Sequence, residues 1–169
     1  PKTSDWNKNN FENIKFESYK KNISLHLDSY IWSSKIIADA MKRKKKGSII
    51  LFNSIYGLVG QAEDTYTGTK IKENMTYSII KGGLTNFVKQ MASFYGKYNI
   101  RINNICCGGI EENNIQQNKR FKKNYINKTP LKRLGNTNDL TGAVAYLISD
   151  SSSYVTGTNL VIDGGWTAI

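Results

Sequence analysis

The sequence predicts an α/β fold built on a mostly parallel sheet, and two features of its 169 residues carry that expectation. Helix-like and strand-like segments alternate along the chain, the order that gives parallel strands joined by helical crossovers. The first strand-like segment, Ser48-Ile49-Ile50-Leu51-Phe52, is a short unbroken apolar run, the mark of a strand buried on both faces. A third observation limits the expectation. Only three strands are legible, so the chain reads as part of a larger sheet.

Residues 1–15 are polar, Asn-rich and without a period, and are expected to form a loop. From Phe16 to Lys46 the spacing is helical: Ile23, Leu27, Ile31, Ser34, Ala38 and Met41 share one face. Gly47 stops that helix, and Ser48-Ile49-Ile50-Leu51-Phe52 is the first strand. A glycine-punctuated loop runs from Asn53 to about Glu73. A second helix follows over 74–98, with Ile79, Leu84, Phe87, Val88 and Met91 as its apolar stripe. The second strand spans 100–106 and is ended by Gly108-Gly109. The polar stretch 111–129 holds a short helix around Lys119–Tyr125, and Asn136 or Thr137 caps a helix over 138–149. Leu160-Val161-Ile162 is the last strand, closed by Asp163-Gly164-Gly165. With no internal repeat and no linker, residues 1–169 are expected to be one domain.

The formal net charge of +11 raises the question of a nucleic-acid partner. Its distribution favours a solvated basic surface instead. The densest run, Lys42-Arg43-Lys44-Lys45-Lys46, ends a helix, where cations complement the macrodipole, and the remaining charges are scattered. No apolar run approaches the roughly 18 residues of a membrane span. The start, which is not a methionine, shows no signal-peptide pattern. The two cysteines, Cys106 and Cys107, are adjacent and poorly placed for an ordinary disulfide. A reduced, cytoplasmic protein with no metal is the expectation.

Tyr77 and Lys81 stand four residues apart, which places a phenol and an ammonium on one helix face, one turn apart. A nearby cation favours phenolate and lowers a tyrosine pKa towards the range of an acid–base catalyst. Alone, that spacing is an ordinary surface pair. Position adds weight: Ser54 follows the first strand and Gly108-Gly109 the second, at the carboxyl ends where open α/β sheets bind ligands. The plain alternatives are a serine capping a loop and glycines making a turn.

In order along the chain, these segments resemble the carboxy-terminal two-thirds of the short-chain dehydrogenase/reductase family. Gly47–Ile50 through Asn53-Ser54-Ile55-Tyr56-Gly57 is similar to its strand-and-serine segment, and Tyr77-Ser78-Ile79-Ile80-Lys81 to its Tyr-x-x-x-Lys helix. Arg101-Ile102-Asn103 through Gly108-Gly109-Ile110 resembles its Arg-x-Asn strand and turn. The segments from Pro130-Leu131 to Val161-Ile162-Asp163-Gly164-Gly165 resemble its tail. The resemblance implies a Rossmann-like doubly wound parallel sheet and NAD(P)-dependent hydride transfer to or from a carbonyl or secondary alcohol. It implies Tyr77 as acid/base, Lys81 as its pKa tuner and ribose contact, and Ser54 as holder of the substrate oxygen. The turn from Gly108 to Ile110 would border the nicotinamide. The intact protein would use NAD or NADP and assemble as a homodimer or homotetramer through helices 16–46 and 74–98.

Several departures from the family stand out. Counting back 28 residues from Ser54, to the place of the family's helix asparagine, lands on His26; Asn22 lies a turn too early. His26 is either a relay residue or a structural histidine. Cys107 stands where proline is usual. Ser54 and Tyr77 are 23 residues apart, and the extra loop, Ala62–Glu73, is either surface or a substrate lid. A loop of this kind resembles the flagellin-modification or surface-sugar branch, which implies a sugar or nucleotide-sugar substrate. The Gly-rich turn that receives the pyrophosphate, and the Asn-Asn-Ala-Gly segment after it, are absent from these residues. The domain is therefore expected to be incomplete, with apolar groups of strands 48–52 and 100–106 uncovered and this piece inactive alone. The alternative is a catalytically silent homologue serving as an interaction module.

Overall fold

The computed structural model describes residues 3–111 and 118–169. Residues 112–117, most of the polar stretch before the expected short helix, and Pro1-Lys2 lie outside it. Three parallel strands, β1 (Gly47–Ser54), β2 (Ile100–Cys107) and β3 (Asn159–Ile162), form a sheet in the order β1-β2-β3. Parallel neighbours require a crossover, and α4 (Met75–Tyr95) supplies it between β1 and β2. Helices α5 (Lys119–Lys128) and α6 (Asn138–Ile148) lie between β2 and β3. Before the sheet come α1 (Thr3–Asn7), α2 (Phe16–Asn22) and α3 (Ser29–Lys42). The three strands and four main helices thus fall where hydrophobic periodicity places them.

The core forms where α3 and α4 lie against the sheet: Ala38, Val88, Met91 and Tyr95 meet Ile49, Leu51, Ile100 and Ile102. Burying aliphatic side chains of this size stabilises by about 1.5–3 kcal/mol each. The stripe of α4 differs from the expected one at its start. Ile80 faces the core and Ile79 faces solvent, so the buried line runs Ile80, Leu84, Val88, Met91, with successive steps of four, four and three residues.

Central β2 is covered, contrary to the expectation for strands 48–52 and 100–106. Its Ile100, Ile102, Ile105 and Cys106 are buried, because β1 and β3 flank it and α4 crosses it. On β1, by contrast, Phe52 is 45% exposed. The Arg-x-Asn pattern has a structural explanation. Arg101 donates to the Ser152 hydroxyl (2.8 Å) and the Ser149 carbonyl (3.1 Å), and Asn103 exchanges hydrogen bonds with Val155 O and Thr158 N. Both residues fasten the approach to β3 and pair their own buried polar groups in doing so.

Residues 3–15 are more ordered than a loop. Asn9 and Asn10 are buried, and Met75 N donates to Asn9 O, so this segment packs on the start of α4. The expected helix 16–46 also contains an interruption. Residues Ile23–Asp28 form a π-helical turn between α2 and α3, and that widened turn packs on α4. Such turns are found disproportionately at functional sites.

Candidate active site

Parallel register sets Ser54 opposite Cys107, at the carboxyl ends of β1 and β2. The turn after β1, Ile55–Gly57, lies directly on α4. A Cβ at Gly57 would stand 2.5 Å from Lys81 O and 2.6 Å from Thr85 Oγ1, a separation only glycine permits. Asn53 ties the two elements at the same level, donating to Lys81 O and Thr85 Oγ1, each at 3.1 Å. Asn74 caps α4 by accepting from Tyr77 N (2.8 Å), and its side chain also donates to Trp6 O (3.1 Å). These contacts fix the turn carrying Tyr77 and Lys81 against the end of β1.

Tyr77 stands between two cavities. One, of about 370 Å³, is lined by Ser54, Tyr77, Gly108, Gly109 and a set of aromatic rings. The other, of about 850 Å³, is lined by Lys81, His26, Tyr30, Asn22, Asp5 of α1, and Glu17 and Lys21 of α2. Tyr77 and Trp6 line both. The Lys81 ammonium lies 5.5 Å from the ring centroids of both Tyr77 and Tyr30. It has two ring faces for company and no carboxylate among the described residues.

Residues 3–167 match the family model described as enoyl-(acyl carrier protein) reductase. The chain is 39% identical to a short-chain dehydrogenase from Leptospira borgpetersenii solved with bound NAD+, with a TM-score of 0.84, over 93% of this chain and 59% of that one. It is 31% identical to the post-translational flagellin modification protein A of Campylobacter coli, over 98% of this chain and 64% of that protein. A 4-hydroxyisoleucine dehydrogenase complexed with NADH is 32% identical with a TM-score of 0.79, over 92% of this chain and 61% of that one. This chain belongs to the short-chain dehydrogenase/reductase family. It spans about 60% of the length of these relatives, so the Rossmann-like sheet is present here in part.

Within this family member, burial pushes the Tyr77 phenol above its ordinary pKa, and a hydrogen bond from Ser54 opposes the rise. Ser54 Oγ accepts from Tyr56 N (3.2 Å), which leaves its own proton to donate. Burial pushes Lys81 below its ordinary value, with the nearby cysteine thiols opposing. The lowering of Tyr77 expected from Lys81 is thus not the net direction; desolvation is the largest effect on both groups.

The turn residues separate. Gly108 and Gly109 join Ser54 and Tyr77 in the aromatic cavity, whereas Ile110 pairs with Gly135 and lines a small cavity of about 140 Å³ beside it. His26 is exposed on the wall of the larger cleft, not packed as a structural histidine. Asn22, the rival position, is committed to Ser18 O and Asn9 Oδ1.

The Ala62–Glu73 loop is neither bland surface nor a free lid. Thr65 and Tyr66 are buried, and Asn124 of α5 donates to Thr65 O and Thr67 O. At its other end Trp6 Nε1 donates to Lys72 O (2.7 Å) and Asn7 Nδ2 to Lys70 O (2.6 Å). Asn53, Gly57, Asn74, Trp6 and Tyr30 escaped the sequence reading. Only the Ser-x-x-Gly spacing from Ser54 to Gly57 offered a signal, since the rest act through tertiary contacts.

Proposed function

We propose that the intact protein is an NAD- or NADP-dependent oxidoreductase that interconverts a secondary alcohol and a carbonyl, with Tyr77 as the acid/base. The observation that carries this reading is Tyr77 standing beside Ser54 on one side and Lys81 on the other. The residues present suit the ribose and nicotinamide part of such a cofactor. The Lys81 ammonium is desolvated and unmatched by any acceptor among the described residues, a donor suited to ribose hydroxyls. A bound nicotinamide supplies the hydride donor or acceptor. Ser54 turns its one proton from Tyr77 to the substrate oxygen, and Tyr77 gives its proton to that oxygen in reduction or takes one in oxidation. Lys81, one turn along, favours the phenolate as it forms. Cys106 and Cys107 are free, and no helix of the described residues is long and apolar enough to cross a membrane. A cytoplasmic enzyme remains the reading, with a small-molecule partner and neither nucleic acid nor membrane.

A raised Tyr77 pKa leaves the phenol protonated at neutral pH, the form that carbonyl reduction uses. Reduction is therefore expected to hold level through neutral pH and to fall in alkali. Oxidation, which needs phenolate, is expected to rise with pH by up to about tenfold per unit. Initial rates in both directions across a pH series test this; opposite slopes would contradict Tyr77 as the titrating group.

His26 is proposed to hold a water in the larger cleft that relays protons towards Lys81. Asparagine offers similar hydrogen bonding, so His26→Asn is expected to keep most activity and His26→Leu to lose much of it. Equal activity in the two variants would remove His26 from the mechanism. The exposed stripe Leu25, Trp32 and Ile36 supports association into a homodimer or homotetramer through α2–α3, a reading that equilibrium sedimentation decides.

A further inference from the structure

The cavity that holds Ser54 and Tyr77 is walled by six aromatic side chains: Trp6, Tyr56, Tyr66, Tyr77, Phe121 and Tyr125. Among the described residues, none that lines it is charged. The rings form two groups, one with centroids 5.1 Å apart for Trp6–Tyr77 and 6.4 Å for Tyr56–Tyr77, the other 5.7 Å for Tyr66–Phe121 and 6.0 Å for Phe121–Tyr125. Two of their hydroxyls are engaged, while the buried Tyr56 Oη has no hydrogen-bond partner among the described residues. Tyr66 Oη donates to Gln61 Oε1 (2.8 Å), and Tyr125 Oη accepts from Gly109 N (2.6 Å).

The wall is also held from behind. Gln61 donates to Asn74 O (2.7 Å) and Ser78 Oγ (2.8 Å), which fastens Tyr66 to the first turn of α4. Lys128 pairs with Asp64 (2.9 Å), joining the same loop to α5, the helix that carries Phe121 and Tyr125. A loop fixed at both ends presents its ring in one place. The long Ser54-to-Tyr77 connection is therefore a wall of the reaction pocket.

From this geometry we propose that the substrate is an uncharged cyclic alcohol or ketone that lays a ring face on Phe121 and Tyr66, and that these two residues set specificity. The proposal rests on the oxidoreductase reading above. Aromatic walls favour ring faces in offset or edge contact, and about 370 Å³ lies at the small end of ligand pockets. A carboxylate or sulfonate placed here would lose its water and find no cation on the lining, so linear anionic hydroxy acids are disfavoured. The shared chemistry is a six-membered ring presenting C–H groups, whether from an alicyclic compound or a sugar.

The test uses the intact protein with saturating cofactor and compares cyclohexanol, a methyl pyranoside, 2-butanol and 3-hydroxybutyrate as substrates. A ring compound is expected to exceed 3-hydroxybutyrate in kcat/KM by roughly 100-fold or more. Phe121→Leu, and independently Tyr66→Leu should the first variant fold poorly, is expected to reduce the ring-to-2-butanol ratio by about tenfold. Preference for cyclohexanol assigns an alicyclic substrate and preference for the pyranoside a sugar; either supports the proposal. Equal or better use of 3-hydroxybutyrate, or an unchanged ratio in a folded Phe121→Leu variant, overturns it. Cyclohexanone binding, read as saturable quenching of Trp6 fluorescence on the pocket wall, separates the two readings. Saturable quenching weakened about tenfold by Phe121→Leu supports the ring pocket even if no alcohol is oxidised, an outcome that defeats the oxidoreductase reading alone. Absence of saturable quenching overturns the ring pocket itself.

Discussion

Replacing Tyr77 with phenylalanine should lower turnover of the intact enzyme by roughly 100- to 10,000-fold, the range of a positioned acid–base group. The fold should survive, because the ring, not the hydroxyl, makes the contacts with Trp6 (5.1 Å) and Tyr56 (6.4 Å). What disappears is the hydroxyl that lines the pocket with Ser54 and is proposed to exchange the substrate proton. The residual rate should also lose its alkaline dependence. Steady-state kinetics together with circular dichroism check both parts, and near-normal turnover in a folded variant would refute the assignment.

Gly57→Ala should have the second-largest effect, although it adds only one methyl group. That methyl would meet the backbone of α4 at Lys81, 2.5 Å from its carbonyl oxygen, and backbone cannot rotate away. Either the Ile55–Gly57 turn lifts or α4 shifts, and each separates Ser54 from Tyr77. Overpacking of this kind costs about 1–3 kcal/mol. Turnover should fall further than stability explains, since a small misplacement of reacting groups is amplified in rate. Denaturant unfolding and kcat measured on one preparation give the two numbers. Loss of stability with kcat intact would show that the turn is structural only.

Much of this architecture was legible in the residues because it follows from periodicity. An unbroken apolar run located β1, and Tyr77 and Lys81 at i and i+4 had to share a face of α4. The misplacement of Ile79 for Ile80 shows the limit of that signal: both are isoleucine, and only packing on the sheet selects one. Residues 3–15 looked featureless because their order comes from elsewhere. Asn9, Asn7 and Trp6 are fixed by partners more than 60 residues away on the 62–73 loop and α4, which no local pattern encodes. The same holds for the aromatic pocket. Its rings come from α1, the turn after β1, the loop and α5, and only the fold brings them together. The upward shift of the Tyr77 pKa was hidden for a related reason: the spacing reveals the cation, while burial depends on everything packed around it.

Hydride transfer is the central claim, and isotope transfer tests it most directly. The intact protein is incubated with a cyclic ketone and reduced nicotinamide cofactor deuterated on the transferring carbon, and the alcohol product is analysed by mass spectrometry and NMR. The account predicts one deuterium on the carbinol carbon of each product molecule, formed by the wild type and nearly abolished in Tyr77→Phe. Product without deuterium, or no difference between the two proteins, would contradict it.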